Sequence, residues 1–183
     1  TLGAGQVQPG DQILVSGPVG DHGVTILLAR GDLDLEADLE SDTRPITPLV
    51  QAVIEAAAPG LRWMRDPTRG GVATALNELA RDTGLAVNLE EEAIPVRDAV
   101  RGACEVLGLD PLHIASEGQL LAVVAPEWAD AALTAMHSIP GGEDAACIGT
   151  IEAHPPGVVT VTTPYGGRRV VDMLIGDPLP RIC

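Results

Sequence analysis

Apolar residues recur at spacings of three and four along residues 72–82, where Val72, Leu76, Leu79 and Ala80 fall on one stripe. The pattern predicts a helix with a single buried face, and Gly84 supplies its stop. Just upstream, Leu61 and Trp63 mark an apolar strand that Asp66 and Pro67 end. Between strand and helix, Thr68 can cap the helix, and the paired glycines Gly70 and Gly71 allow a tight turn that approaches a ligand. A strand, a glycine turn and a helix N-terminus form an anion site through free N–H groups and the positive end of the helix dipole. Arg65 and Arg69 flank it. The same pattern also describes a capped turn that serves packing alone.

Elsewhere strand and helix periods interleave. Residues 12–16 read as a short strand, residues 17–23 as a second glycine loop and residues 24–30 as a helix. That loop lacks the Lys and Ser/Thr of a P-loop. Thr47 and Pro48 cap a helix through Val50, Val53 and Ile54 that stops at Pro59 and Gly60. Residues 85–89 read as a strand, and Pro95 opens a helix whose Ala99, Val100, Ala103 and Leu107 share one face. The unbroken apolar run 120–125 reads as an interior strand. Pro126 starts a helix through Trp128, Ala131, Ala132 and Met136, and Cys147 falls in the next apolar strand. Residues 158–162 and 169–174 flank Pro164-Tyr165-Gly166-Gly167, a hairpin signal. Together these predict an α+β fold, a mixed β-sheet packed with helices over residues 1–175. Pro178 and Pro180, at alternate positions, predict an extended tail over 176–183.

Composition narrows the function. The 183 residues suit one domain, and with no Phe and only 2% aromatic residues its core must be built from Leu, Val, Ile and Ala. Eleven basic against 26 acidic residues, a net charge of −15, argue against nucleic acid and anionic membranes as partners. No membrane span or signal peptide is evident, and a cytoplasmic location fits. Cys104, Cys147 and Cys183 are too few and scattered for a disulfide framework or a zinc site, and the four histidines are equally dispersed. The chain opens on Thr1 without Met, which suggests a missing N-terminal part.

Several side chains carry candidate chemistry. Glu117 precedes the buried strand without a local Lys or Arg, so it can act as a base or serve as a turn or capping residue. His22 can carry a proton or hold a helix start. Glu90, Glu91 and Glu92 alternate faces on an extended segment and read as solvated charge rather than a metal site, as does the acidic stretch 32–42. Cys104 and Cys147 read as core. Cys183, at the end of the tail, can carry a covalently bound group, or simply end a frayed terminus.

Ser16-Gly17-Pro18-Val19-Gly20-Asp21-His22-Gly23, Asp66-Pro67-Thr68-Arg69-Gly70-Gly71-Val72-Ala73, Ile94-Pro95-Val96-Arg97, Arg101-Gly102-Ala103-Cys104, Glu117-Gly118, Gly166-Gly167-Arg168-Arg169 and terminal Pro180-Arg181-Ile182-Cys183 together closely resemble the HypE family of hydrogenase maturation proteins. The likeness runs over essentially the whole chain. The wider aminoimidazole ribonucleotide synthetase (PurM-like) superfamily shares the glycine loops without the cysteine tail. The resemblance implies the C-terminal domain of a two-domain protein whose absent N-terminal half supplies most of the Mg2+ and ATP site and the main contact of a homodimer. It implies that Cys183 receives a carbamoyl group from a HypF carbamoyltransferase. ATP then phosphorylates the carbamoyl oxygen, loss of phosphate leaves a thiocyanate, and the cyanide passes to iron on a HypC–HypD scaffold for [NiFe] hydrogenase. Glu117 matches an acidic residue near the docked tail and is the candidate base. Asp66, Thr68, Arg69, Gly70 and Gly71 match the nucleotide and phosphate side, with Asp21 and His22 as contributors from the first glycine loop and no metal ligand assigned. Ser116 stands where the family commonly has Asn. The rival readings are another superfamily enzyme, of the selenophosphate synthetase or thiamine monophosphate kinase type, and a non-catalytic docking module.

Overall fold

Strand and helix follow one another along the chain largely as the periodicity requires. In the computed structural model, which describes residues 2–31 and 38–173, the strands are β1 (Gln12–Val15), β2 (Leu61–Arg65), β3 (Ala86–Glu90), β4 (Leu121–Val124), β5 (Ala146–Glu152), β6 (Val159–Thr162) and β7 (Arg168–Val170). The helices are α1 (Asp21–Ala29), α2 (Thr47–Ala57), α3 (Gly71–Thr83), α4 (Asp98–Leu107) and α5 (Ala129–His137). The strands form one mixed sheet in the order β2-β4-β1-β5-β3-β6-β7, antiparallel except for the parallel pair of β3 and β6.

Because successive side chains of a strand point to opposite faces, the central strands feed two cores. Ile13, Val15, Leu121 and Val123 pack with Val72, Leu76, Leu79 and Ala80 of α3, the stripe read from the sequence. Leu14, Ala122 and Val124 face the other way, with Leu49 and Val53 of α2 and Ala132 and Met136 of α5. The register running from Gln12 opposite Val124 to Val15 opposite Leu121 keeps this alternation in step. A third cluster joins α1 to α4 through Val24, Leu27, Val100, Ala103 and Cys104, together with Ile114. No aromatic side chain is buried among the described residues. Fully enclosed aliphatic residues such as Ile13, Leu76 and Leu121 carry the folding energy instead, each contributing about 1.5–3 kcal/mol.

The helix starts differ from the sequence expectation where tertiary contacts outweigh local preference. α1 begins at Asp21 rather than Val24, because Gly20 enters it in a left-handed conformation (φ 89°) and Asp21 complements the dipole in the first turn. α4 begins at Asp98 rather than Pro95. The preceding residues stay extended because the Pro95 carbonyl accepts the Val19 N–H at 3.0 Å, and Arg97 adopts ψ 147° as the residue before the helix. Pro126–Trp128 form a 3-10 turn ahead of α5. Neither Thr47 nor Thr68 caps through its hydroxyl, contrary to the sequence reading. Ile46 and Gly70 hold the cap positions without side-chain bonds, and it is the Thr68 carbonyl that accepts the Gly71 N–H, at 3.0 Å.

The β6–β7 hairpin closes as predicted, with the Thr163 N–H donating to the Gly167 carbonyl at 2.7 Å. β7 is shorter than the expected 169–174 strand. The boundary at residue 175, the tail over 176–183 and Cys183 lie outside the described residues, as do residues 32–37 of the acidic stretch. Among the described residues no helix is long and apolar enough to cross a membrane.

Candidate functional site

Three sequence stretches singled out for chemistry meet at one buried side chain, Ser116, which is wholly enclosed. Its hydroxyl accepts the Gly20 N–H of the first glycine loop at 3.0 Å, and its own N–H donates to the Pro67 carbonyl of the second at 3.0 Å. Gly23 contributes a further link, its N–H reaching the Ala115 carbonyl at 3.1 Å. Glycine is required at two of these contacts. A Cβ on Gly23 would stand 2.5 Å from Ile114 Cγ2, and one on Gly71 would stand 2.5 and 2.6 Å from the carbonyl oxygens of Leu112 and Ile114. Gly71 therefore lets the start of α3 lie against the segment that leads to Glu117.

Glu117 follows Ser116 on a half-buried turn just before β4 and makes no ion pair among the described residues. Its N–H donates to Asp42 Oδ1 at 3.0 Å. Ser16, at the end of β1, ties down the far side of the turn: its hydroxyl donates to Gln119 Oε1 at 2.7 Å and accepts the Leu120 N–H at 2.8 Å. Arg44 closes the arrangement, donating to the Gly118 carbonyl at 2.9 Å, to Gln119 Oε1 at 3.3 Å and to the Gly141 carbonyl at 2.5 Å. The acidic stretch thus ends not as solvated charge but as a strap across the turn.

Around the strap opens a cleft of about 480 Å³ whose walls include Asp21, Asp42, Arg44, Arg97, Glu143 and Asp144. Arg97 Nε donates to Asp21 Oδ2 at 2.8 Å. Burial nevertheless holds the Asp21 carboxyl above the ordinary Asp range, outweighing the lowering by Arg97, and the nearby Asp42 and Asp144 charges add to the rise. His22 lies beside the strap, with Nδ1 at 2.8 Å from Ser41 Oγ and 3.2 Å from Thr43 Oγ1. These bonds fit the helix-start role better than proton transfer.

On the second glycine stretch Asp66 and Arg69 are exposed, and neither forms an ion pair among the described residues. Arg65 is engaged, pairing with Glu78. The residues fit a phosphate in part: Arg69 offers charge-assisted donors and the Gly70 turn offers backbone, whereas no three His, Cys, Asp or Glu side chains gather to hold a metal ion among the described residues. Glu91 faces Arg169 at 3.4 Å and Glu90 accepts from Asn88 at 3.0 Å, so two of the three adjacent glutamates are engaged in pairs of their own. Cys104 is buried, and desolvation, assisted by Asp110, pushes its thiol up to about 11. Cys147 is half-buried, its thiol raised by burial and its Sγ 3.2 Å from Gln12 Oε1.

Asp42, Arg44 and Ser116 were not legible as a unit. The only sequence signal for the strap is an Arg followed by Pro at the end of an acidic run. The contacts that give these residues meaning span more than 70 positions.

Comparison with known proteins adds the lineage. The family model for AIR synthase related protein, C-terminal domain, matches residues 8–162. The carbamoyl dehydratase HypE of Azotobacter vinelandii is 53% identical over 182 residues, covering 100% of this chain and 53% of that protein. A crystal structure of hydrogenase maturation protein HypE in complex with ATP superposes with a TM-score of 0.90 at 41% identity, over 100% of this chain and 55% of that one. A crystal structure of a HypE–HypF complex gives a TM-score of 0.89 at 37% identity, over 95% of this chain and 56% of that one. The chain spans about half the length of the curated relatives it matches. By its fold, its family match and these likenesses, the chain belongs to the AIR synthase related protein C-terminal domains and, among them, is similar to those of the HypE proteins.

Proposed function

We propose that this chain is the C-terminal half of an ATP-dependent S-carbamoyl-cysteine dehydratase that makes the cyanide ligand precursor for [NiFe] hydrogenase. The observation that carries the reading is the convergence of both glycine loops on Ser116, immediately before Glu117, in a domain closely similar to that of HypE proteins. In this reading Cys183 holds the carbamoyl group as a thiocarbamate. ATP supplies a phosphoryl group to the carbamoyl oxygen and so turns it into a leaving group. The nitrogen gives one proton to water as the oxygen is phosphorylated; the C–O bond then breaks, phosphate leaves, and loss of the second proton makes the C–N bond triple. Glu117 takes a proton from that nitrogen, and Asp66, Thr68, Arg69, Gly70 and Gly71 face the phosphate side, where Arg69 offsets its charge. Asp21 and His22 shape the adjoining loop. The carbamoyl donor is a HypF-type transferase and the acceptor of cyanide a HypC–HypD-type scaffold. The setting is cytoplasmic, and the full-length protein is a homodimer that binds Mg2+ mainly through its N-terminal domain.

Glu117→Gln, made in the protein at its relatives' full length, tests the base. Carbamoylation of Cys183 should proceed at the normal rate, and ATP-dependent loss of water should slow by about 10²–10⁴-fold. Mass spectrometry of the terminal peptide separates the two steps, and normal dehydration by the Gln variant would remove Glu117 from the role.

A second expectation concerns the isolated 183-residue chain. It should bind Mg-ATP weakly or not at all, because most charge-assisted phosphate contacts and the metal ligands belong to the other half. Calorimetry reads this directly. Micromolar binding by the chain alone would place the nucleotide site wholly in this domain.

A further inference from the structure

The turn that carries Glu117 is held by a segment far away in sequence. Asp42 Oδ1 accepts the Glu117 N–H at 3.0 Å. At the next residue, a Cβ on Gly118 would stand 1.7 Å from the Asp42 carbonyl oxygen and 2.9 Å from Arg44 Cγ. Arg44 in turn donates to the Gly118 carbonyl at 2.9 Å and to the Gly141 carbonyl at 2.5 Å. Consecutive residues of the turn are thus gripped by a carboxylate and a guanidinium from one strap. The other carboxylate oxygen, Asp42 Oδ2, is shut off from solvent and has no hydrogen-bond partner among the described residues. Enclosing such an oxygen costs stability. A turn that needed only its N–H satisfied could use water at no such cost. Stability alone therefore does not account for Asp42 at this place, whereas fixing the backbone from which the Glu117 side chain projects does.

We infer that Asp42 is a positioning residue for Glu117, setting the orientation of the carboxylate that takes the proton. The inference rests on the reading of Glu117 as the base. Positioning matters at this step because a displacement of about 1 Å can cost on the order of 10²-fold in rate. Asp42 does not touch the thiocarbamate in this account. It acts through the single N–H of Glu117, so any residue that keeps an acceptor at Oδ1 should preserve the geometry.

The experiment uses the full-length protein with its carbamoyltransferase, and follows the carbamoylation and dehydration of Cys183 separately. Asp42→Ala should leave carbamoylation unchanged and slow dehydration by about 10- to 100-fold. Asp42→Asn, which keeps the acceptor, should restore dehydration to within about threefold, since replacing a charged acceptor by a neutral one weakens a hydrogen bond without removing it. Asp42→Glu keeps the charge but displaces the acceptor by one methylene. It should slow dehydration as the Ala variant does, and it carries the comparison if the Ala variant does not fold. In the Glu117→Gln background, Asp42→Ala should add no further loss, because residues acting through one another are not additive. Normal dehydration by Asp42→Ala, equal loss in both steps, or full additivity with Glu117→Gln would each overturn the positioning role. Normal dehydration by Glu117→Gln itself would instead overturn the assignment of the base, so the two failures are distinguishable.

Discussion

Replacement of Cys183 by Ala is expected to abolish both carbamoylation and dehydration, the largest loss any single substitution in this chain should cause. The other thiols cannot substitute for it. Cys104 is buried among the residues joining α1 and α4, with its thiol pushed up to about 11, so at neutral pH almost none of it is the nucleophilic thiolate. Cys147 is raised by burial as well, and its sulfur is engaged with Gln12. Incubation of the full-length protein with the transferase, carbamoyl phosphate and ATP should therefore place one carbamoyl mass on the terminal peptide and none on the peptides that contain Cys104 or Cys147. The variant should show no label anywhere. Label on Cys104 or Cys147 in either protein would end the carrier role of Cys183. Raising the pH from 7 to 9 increases the Cys104 thiolate, but with the thiol pushed up to about 11 it stays a minor form, and burial keeps it from the transferase, so the peptide should still be unmodified.

The second large effect is on stability. Gly71→Ala should destabilise the domain by about 2–5 kcal/mol, adding a left-handed penalty of about 1–2 kcal/mol to an overpacking cost of about 1–3 kcal/mol. Both causes are visible at the position: φ is 62°, and the new methyl would stand 2.5 Å from the Leu112 oxygen and 2.6 Å from the Ile114 oxygen. Against a total stability of about 5–15 kcal/mol this is a large fraction. Gly84→Ala is the internal control. Its φ is 68°, but no atom of the described residues lies within 4 Å of the added carbon, so only the left-handed penalty of about 1–2 kcal/mol applies. Urea unfolding of the two variants should rank them in that order. Equal losses would mean that the contact between α3 and the 112–114 segment yields without cost.

The stripe on α3, the short strand β1 and the apolar run of β4 were readable because one element's own residues encode them. Val72, Leu76 and Leu79 announce a buried face whatever they pack against, and a continuous run such as Leu120 to Ala125 announces a strand covered on both sides. Helix starts were read less well, since the extended segment before α4 is kept open by Val19, more than 70 positions earlier. The candidate site divides in the same way. Glu117 and the glycine loops stand out through residue type and spacing. Nothing near Asp42 says that its carboxylate leaves the acidic run to meet the Glu117 N–H, because that bond is a product of the sheet's topology rather than of local pattern. Residue type also misled at Thr68: a good capping side chain is idle there, because glycine in a left-handed conformation already holds the cap position.

The position of β1 in the sheet has a bearing on synthesis. Its neighbours on either side are β4 and β5, which place Val124 and Thr150 beside Gln12. A chain emerging from the ribosome therefore makes β1 long before either of these partners exists. At about 5–20 residues per second, the wait for β5 is on the order of ten seconds. Until β4 emerges Ile13, Leu14 and Val15 have neither neighbour, and until β5 follows one edge of β1 stays open and α2 and α3 have no completed sheet on which to lay their apolar faces. Pairings of such long sequence separation are slow even once the whole chain is free. The nascent first half of the domain is consequently where a holdase chaperone would find its substrate, and release of the fifth strand from the exit tunnel is the event that lets the domain close.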